Sequence, residues 1–217
     1  MSNRQDNPVI VVGAGGHAAV LIDCLRRLGV NILGLTDVQK PKGERILGVE
    51  VLGTDDEIFS YKANDICLVN GIGITEHSSS RHQLACRMRQ AGFAFRTIID
   101  PTAIVLSDIE VGDGVQILAG VVIQPRVSIG QDSIINTGVL VDHDCMIEAE
   151  CHICPGVTLA GSVTVGSQTM IGTGSTVVPG ISIGNNSTIA AASVIYKDVP
   201  ANVSIIQHRH ESLGASE

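Results

Sequence analysis

The segment Val141–Cys154, VDHDCMIEAECHIC, gathers two histidines, three cysteines and four acidic residues into fourteen positions. Thiolates and imidazoles so close could hold a zinc ion. Alternatively, His143 could take up a proton as a general base while the neighbouring Asp144 orients its ring and supports the charged form. A third possibility is a polar edge of some regular structure, with no chemistry at all. A second concentration lies near the start, at Gly13-Ala14-Gly15-Gly16-His17-Ala18. It nearly matches the dinucleotide-binding fingerprint, with Ala18 in the last glycine's place and Asp37 at a suitable distance after it. Glycines there let backbone N–H groups approach phosphate oxygens at a helix N-terminus. A ligand-free strand-to-helix turn would carry the same residues.

The elements decide between these chemistries. From Pro101 the chain divides into sixes without an insertion: PTAIVL, SDIEVG, DGVQIL, AGVVIQ, PRVSIG, QDSIIN, TGVLVD, HDCMIE, AECHIC, PGVTLA, GSVTVG, SQTMIG, TGSTVV, PGISIG, NNSTIA, AASVIY. All sixteen fifth positions are Val, Ile or Leu, and all sixteen third positions are Ala, Ser, Thr, Cys, Val or Ile. A period of six with two buried sites per repeat predicts a parallel β-helix. Each hexad forms one short strand and one turn, and three hexads close a triangular coil. Residues one coil apart then stack at about 4.8 Å.

In this register His143 takes the first position, a corner, and Asp144 follows it. Cys145 and Cys151 fall on third positions and read as small core residues, so the cysteines and histidines point to different sides of the wall. No metal is expected. His143 and His152 are half a coil apart and are expected on different faces, without the close histidine pair of a β-helical carbonic anhydrase. One coil beyond His143 comes Gly161, in LAGSV. A glycine stacked on the base leaves room for a substrate and exposes an N–H to a developing oxyanion.

Residues before Pro101 read differently. PVIVVGAGG is an apolar run into a glycine turn, and HAAVLIDCLRRLG has helical spacing ending at Gly29. NILGLTD and ICLVNGIG read as buried strands, SSSRHQLACRMRQAG as a serine-capped helix and FRTIID as a last strand. Alternation of this kind predicts a small parallel α/β domain over residues 1–100, followed by the β-helix over 101–199 and a tail over 200–217.

Composition narrows the function. A net charge of −8 argues against nucleic acid as the main partner, because no basic stripe is present. Mean hydropathy is +0.31, yet no uncharged apolar run approaches the roughly 18 residues of a membrane span. MSNRQDNP lacks the apolar centre of a signal peptide. Six cysteines in apolar or small-residue contexts read as reduced thiols of a cytoplasmic protein. A nicotinamide dehydrogenase is disfavoured, since ninety residues supply barely more than one mononucleotide-binding half and the β-helix would have no task.

A Rossmann-like domain opening with VGAGGHA, followed by hexads carrying His-Asp-Cys, resembles the bacterial nucleotide-sugar N-acetyltransferases of the bacillosamine and perosamine pathways, which are related to the sialic-acid O-acetyltransferases. The similarity runs from about Pro8 to Val199. It implies a left-handed β-helix and a homotrimer with active sites between subunits. It also implies transfer of an acetyl group from acetyl-CoA to the 4-amino group of a nucleotide-linked 4-amino-4,6-dideoxy sugar. On the matching positions His143 is the general base, Asp144 its partner, Gly161 the backbone amide for the oxyanion and His152 a residue beside acetyl-CoA. Gly13, Gly15, Gly16, His17 and Asp37 contact the nucleotide-sugar, and Asn70, Gly71 and Gly73 lie near its sugar or pyrophosphate. O-acetylation of a sialic-type sugar shares every motif. A non-catalytic β-helical scaffold is the third reading. The chain departs from the family after the last coil, where DVPANVSIIQHRHESLGASE replaces the usual Gly-x-Pro-Ala-basic segment. Arg209, flanked by His208 and His210, could meet a phosphate there or belong to a disordered tail.

Overall fold

The computed structural model describes residues 7–73 and 80–206. The serines expected to cap the second helix at residues 78 and 79, and the tail with His208, Arg209 and His210, lie outside the described residues.

The first unit is a five-stranded sheet in the order β3-β4-β2-β1-β5. Its strands are β1 (Val9–Val12), β2 (Ile32–Thr36), β3 (Arg45–Ile46), β4 (Val49–Gly53) and β5 (Cys67–Asn70). β1 pairs in parallel with β2 and β5, while β3 and β4 form a hairpin. That hairpin escapes a periodicity reading because β3 is only two residues long. Its turn rests on Leu47 and Gly48, both at positive φ, as a two-residue hairpin turn requires. α1 (Gly16–Arg27) buries Ala18, Leu21, Ile22, Cys24 and Leu25 against the sheet, and α2 is Ser80–Gln90. Gly29, at φ 67°, follows the end of α1 and donates to the carbonyl of Arg26. β1 is buried at all four positions, which explains its continuous apolar sequence.

The second unit is a three-faced parallel β-helix with six-, five- and seven-stranded walls. Pairing partners within the hexads are eighteen residues apart, as in Leu140 with Thr158, Met146 with Thr164 and Ile134 with His152. Third and fifth positions such as Val139, Val141, Cys145, Ile147, Cys151 and Ile153 fill the prism. The second position of fifteen of the sixteen hexads has positive φ, Thr102 being the exception. The chain turns each corner there in a conformation that costs a residue with a Cβ about 1–2 kcal/mol. The corner is closed by that residue's N–H, which reaches a carbonyl one coil away, as Ser162 does to His143 at 2.9 Å.

The pairing extends past both ends of the hexad run. FRTIID does not supply a last strand of the α/β sheet alone. Phe95 bridges Leu68 of β5, but β6 (Ile98–Ile99) is already the first rung of the seven-stranded wall, paired with Gln116–Ile117. At the far end Ser204–Ile205 pairs with Thr188–Ile189. That spacing is sixteen residues instead of eighteen, so the six-beat pattern cannot reveal it.

The α/β unit sits on the seven-stranded wall. Ile98, Leu118 and Ile134 share a cluster with Val9, Leu21 and Leu25. Arg27 reaches the buried Asp100 at 2.5 Å, and Arg89 forks Asp132 at 2.5 and 2.8 Å. Burial alone would raise the Asp100 pKa, but hydrogen bonds from Arg27 and Thr102 outweigh it and hold the carboxyl well below the usual range. Among the described residues no helix is long and apolar enough to cross a membrane.

Candidate active site

His143 stands at the corner between Leu140–Val141 of the six-stranded wall and Met146–Ile147 of the five-stranded wall. Its side chain is 53% exposed, as a proton acceptor serving an external substrate must be. Asp144, at φ 60°, turns back on it so that one carboxylate oxygen lies 2.6 Å from Nδ1. A carboxylate accepts only, so this contact places a proton on Nδ1 and leaves Nε2 with the lone pair. Arg126, one coil earlier, holds the same carboxylate in a fork at 2.6 and 2.8 Å. Together Arg126 and His143 keep Asp144 ionised far below the usual carboxylate range. The hexad reading did not single out Arg126, although its spacing of eighteen from Asp144 is the signal that finds it.

Gly161 packs directly on the imidazole. A Cβ built there would lie 2.7 Å from Cε1 and 2.9 Å from Nε2 of His143. The register count and the geometry therefore agree. The Gly161 carbonyl accepts from Gly180, while its own N–H donates to no partner among the described residues. A free donor thus sits beside a free lone pair.

His152 is not part of this corner. It lies on the seven-stranded wall between Ile134 and Met170, is 9% exposed, and places Nε2 3.2 Å from the Asn136 side-chain nitrogen. Cys145 and Cys151 are interior, and burial pushes their thiols up to about 11 and about 12. Burial likewise pushes Cys154 up to about 11. Such thiols are not nucleophiles at neutral pH. Among the described residues no group of three or more His, Cys, Asp or Glu converges as metal ligands would.

The glycine turn forms a second centre. Gly15 caps α1 without a side-chain bond, and a Cβ on Gly15 or Gly16 would meet nothing within 4 Å. The start of the helix is therefore open for a ligand. Gly13, at φ 98°, and Gly71 are needed for another reason. Gly13 packs on the Gly71 backbone, and a Cβ on Gly71 would come within 2.9 Å of Val11 and of the Val12 carbonyl. Asp37 accepts from the Ala14 N–H at 2.8 Å and from Gln39 and Lys40. Asn70 is 2% exposed; its side chain bonds the Arg81 carbonyl and the Ile72 N–H, so it shapes the loop from within. Gly73 lies against the Cβ of His17.

His17 places Nε2 2.7 Å from Oε1 of Gln116, which is buried on the seven-stranded wall. Burial lowers the His17 pKa to about 4, Gln116 opposing and the nearby Arg81 adding to the shift. Arg81 is itself buried. Its guanidinium donates to the carbonyls of Asn70 and Ile72, and desolvation lowers its pKa to about 10. The hexads contain no sign of which wall is covered, so Gln116 and Arg81 could not be singled out from the sequence.

Comparison with known proteins agrees with this fold. The family model for the PglD N-terminal domain matches residues 8–88, and that for the hexapeptide repeat of succinyl-transferase matches residues 162–197. No curated protein matches. Among solved structures, PerB from Caulobacter crescentus, in complex with CoA and GDP-perosamine, is 36% identical, with 91% of this chain and 93% of that chain covered and a TM-score of 0.84. A histidine-to-asparagine mutant of perosamine N-acetyltransferase from the same organism gives 35%, 91%, 92% and 0.85. The acetyltransferase domain of PglB from Neisseria gonorrhoeae, in complex with acetyl coenzyme A, gives 28%, 92%, 95% and 0.84. With both units aligned over nine-tenths of its length, the chain belongs to the hexapeptide-repeat nucleotide-sugar N-acetyltransferases.

Proposed function

We propose that the protein transfers the acetyl group of acetyl-CoA to the amino group of a nucleotide-linked 4-amino-4,6-dideoxy sugar, in the synthesis of a surface glycan. The carrying observation is the seam at His143: an imidazole with its lone pair on Nε2, packed on a glycine whose N–H has no partner among the described residues. His143 Nε2 accepts the proton of the amine as its nitrogen bonds to the thioester carbonyl carbon. The Gly161 N–H donates to the oxygen as it gains charge. When the C–S bond breaks, the imidazolium returns the proton to the departing thiolate. Asp144 supports the transient positive charge. No acyl-enzyme is involved.

The layout supports a site shared between chains. The glycine turn belongs to the unit seated on the seven-stranded wall, whereas His143 stands at the corner opposite that wall. A sugar held at one chain's glycine turn therefore meets the imidazole of another, as a head-to-tail ring such as a homotrimer allows. In such a ring His152 lies within the assembly, beside acetyl-CoA. Gly15 and Gly16 receive the pyrophosphate, and His17 and Asp37 contact the nucleoside or sugar. No disulfide joins any of the six cysteines, the state a reducing cytoplasm maintains.

The test is thiol release from acetyl-CoA with UDP-, GDP- and dTDP-linked 4-amino sugars and with free sialic acid, the products being identified by mass. N-acetylation of one nucleotide-linked amino sugar is expected. Acetylation of sialic acid alone would assign O-acetyl transfer, and thiol release that none of these acceptors raises above the acceptor-free rate would remove the reading.

A further inference from the structure

We infer that Gln116 is a positioning residue that fixes His17 in the tautomer with its proton on Nε2, so that the glycine-turn site presents a lone pair on Nδ1 and requires an N–H or O–H donor from its ligand. This rests on the reading of that turn as the nucleotide-sugar site. An amide beside an imidazole is normally ambiguous, because the oxygen and nitrogen of Gln can exchange places and the ring can carry its proton on either nitrogen. Here a third group removes the ambiguity. Nε2 of Gln116 lies 2.8 Å from the backbone carbonyl of Asn70. A carbonyl oxygen can only accept, so the amide NH₂ must face it and Oε1 must face His17.

The nitrogen of His17 at 2.7 Å from that oxygen must then be the donor. The Asn70 carbonyl is itself held by Arg81 at 2.8 Å, so the chain of bonds starts from a buried fixed point. At neutral pH the half-buried ring carries a single proton, because desolvation and Arg81 hold its pKa at about 4. Nδ1 is left as the acceptor. It has no hydrogen-bond partner among the described residues and is not sealed in the interior.

The consequence is a division of labour at the turn. A lone pair repels a phosphate oxygen, so His17 does not bind the pyrophosphate. The anion falls to the open N–H groups at Gly15 and Gly16. His17 reads a neutral donor, a hydroxyl or a ring N–H of the nucleotide-sugar. A site built to accept from a hydroxyl discriminates strongly against the analogue lacking it.

The test uses the full-length enzyme labelled with ¹⁵N-histidine. In the free protein the His17 signals are expected to show a protonated Nε2 and a bare Nδ1. Saturation with the nucleotide-sugar should shift the Nδ1 signal as it accepts a bond. Gln116→Met, which removes the acceptor at similar length, should give a mixed tautomer. It should raise KM for the nucleotide-sugar about five- to tenfold, the worth of one hydrogen bond, with the effect absent from kcat and from KM for acetyl-CoA. A proton on Nδ1 in the wild type would overturn the proposal, as would an unchanged tautomer and KM in Gln116→Met. An Nδ1 signal that stays put while the sugar binds would overturn its recognition half. Should Gln116→Met not fold, the wild-type spectra decide alone. If no nucleotide-linked amino sugar binds at all, the activity reading fails, and the free-protein spectrum still judges the tautomer separately.

Discussion

At the scale of single residues, the proposed catalysis depends on one imidazole and on the absence of a Cβ beside it. Gly161→Ala would introduce a methyl where 2.7 Å separates it from the ring, so His143 must swing away from its productive position. Misplacing a reacting group by about an ångström costs on the order of a hundredfold. Steady-state kinetics should show that loss in kcat, with the unfolding midpoint little changed because His143 is exposed. Asp144→Asn should also lower kcat while leaving both KM values alone, because a neutral amide cannot support the imidazolium and its NH₂ can take the oxygen's place beside Nδ1. Equal activity in Asp144→Asn would make Asp144 only the partner of Arg126. Counting by eighteen made Gly161 legible in the sequence, and the same count reaches Arg126. Gln116 was not legible. It occupies an ordinary fourth position of its hexad, and only the docking of the other unit gives it a role.

The corners are the weak and informative points at the scale of elements. Gly156 has φ 68° and nothing within 4 Å of a Cβ, so Gly156→Ala meets no neighbour and its cost reports backbone strain alone. Ala192 occupies the equivalent corner position at φ 58°. Gly156→Ala should destabilise and Ala192→Gly stabilise, each by about 1 kcal/mol, read as opposite shifts in the urea midpoint. A shared sign would contradict the corner assignment. These elements are legible in the sequence because every hexad repeats the same burial pattern. Legibility ends where a strand has no period to show, in the β3–β4 hairpin and in Ser204–Ile205 two residues out of step. FRTIID reads as part of one unit because nothing in its pattern shows that Phe95 pairs with β5 while Ile98 pairs with Gln116.

The joint between the two units makes the whole molecule sensitive to pH. His17 binds its proton less readily when folded, its pKa falling from 6.5 to about 4. Between those values the unfolded chain takes up more protons, so stability rises with pH. The contribution is whole above pH 6.5 and is lost as the pH falls towards 4, amounting to at most about 3 kcal/mol. Urea unfolding between pH 7 and 5 should therefore show a steeper loss in the wild type than in His17→Gln, which has no proton to gain. Equal slopes would mean that His17 is not the titrating group.

The same joint places the glycine turn and His143 on opposite sides of one chain, and this can be tested by mixing two inactive proteins. His143→Ala removes the base, and Gly16→Trp fills the open start of α1. Each is expected to be inactive on the nucleotide-sugar. Refolded together in equal amounts, they should recover activity in about one site in four, since a quarter of the head-to-tail junctions then join an intact imidazole to an intact turn. A mixture as inactive as its parents, with mixed oligomers shown to form, would contradict the shared site. An active His143→Ala parent would contradict the base itself.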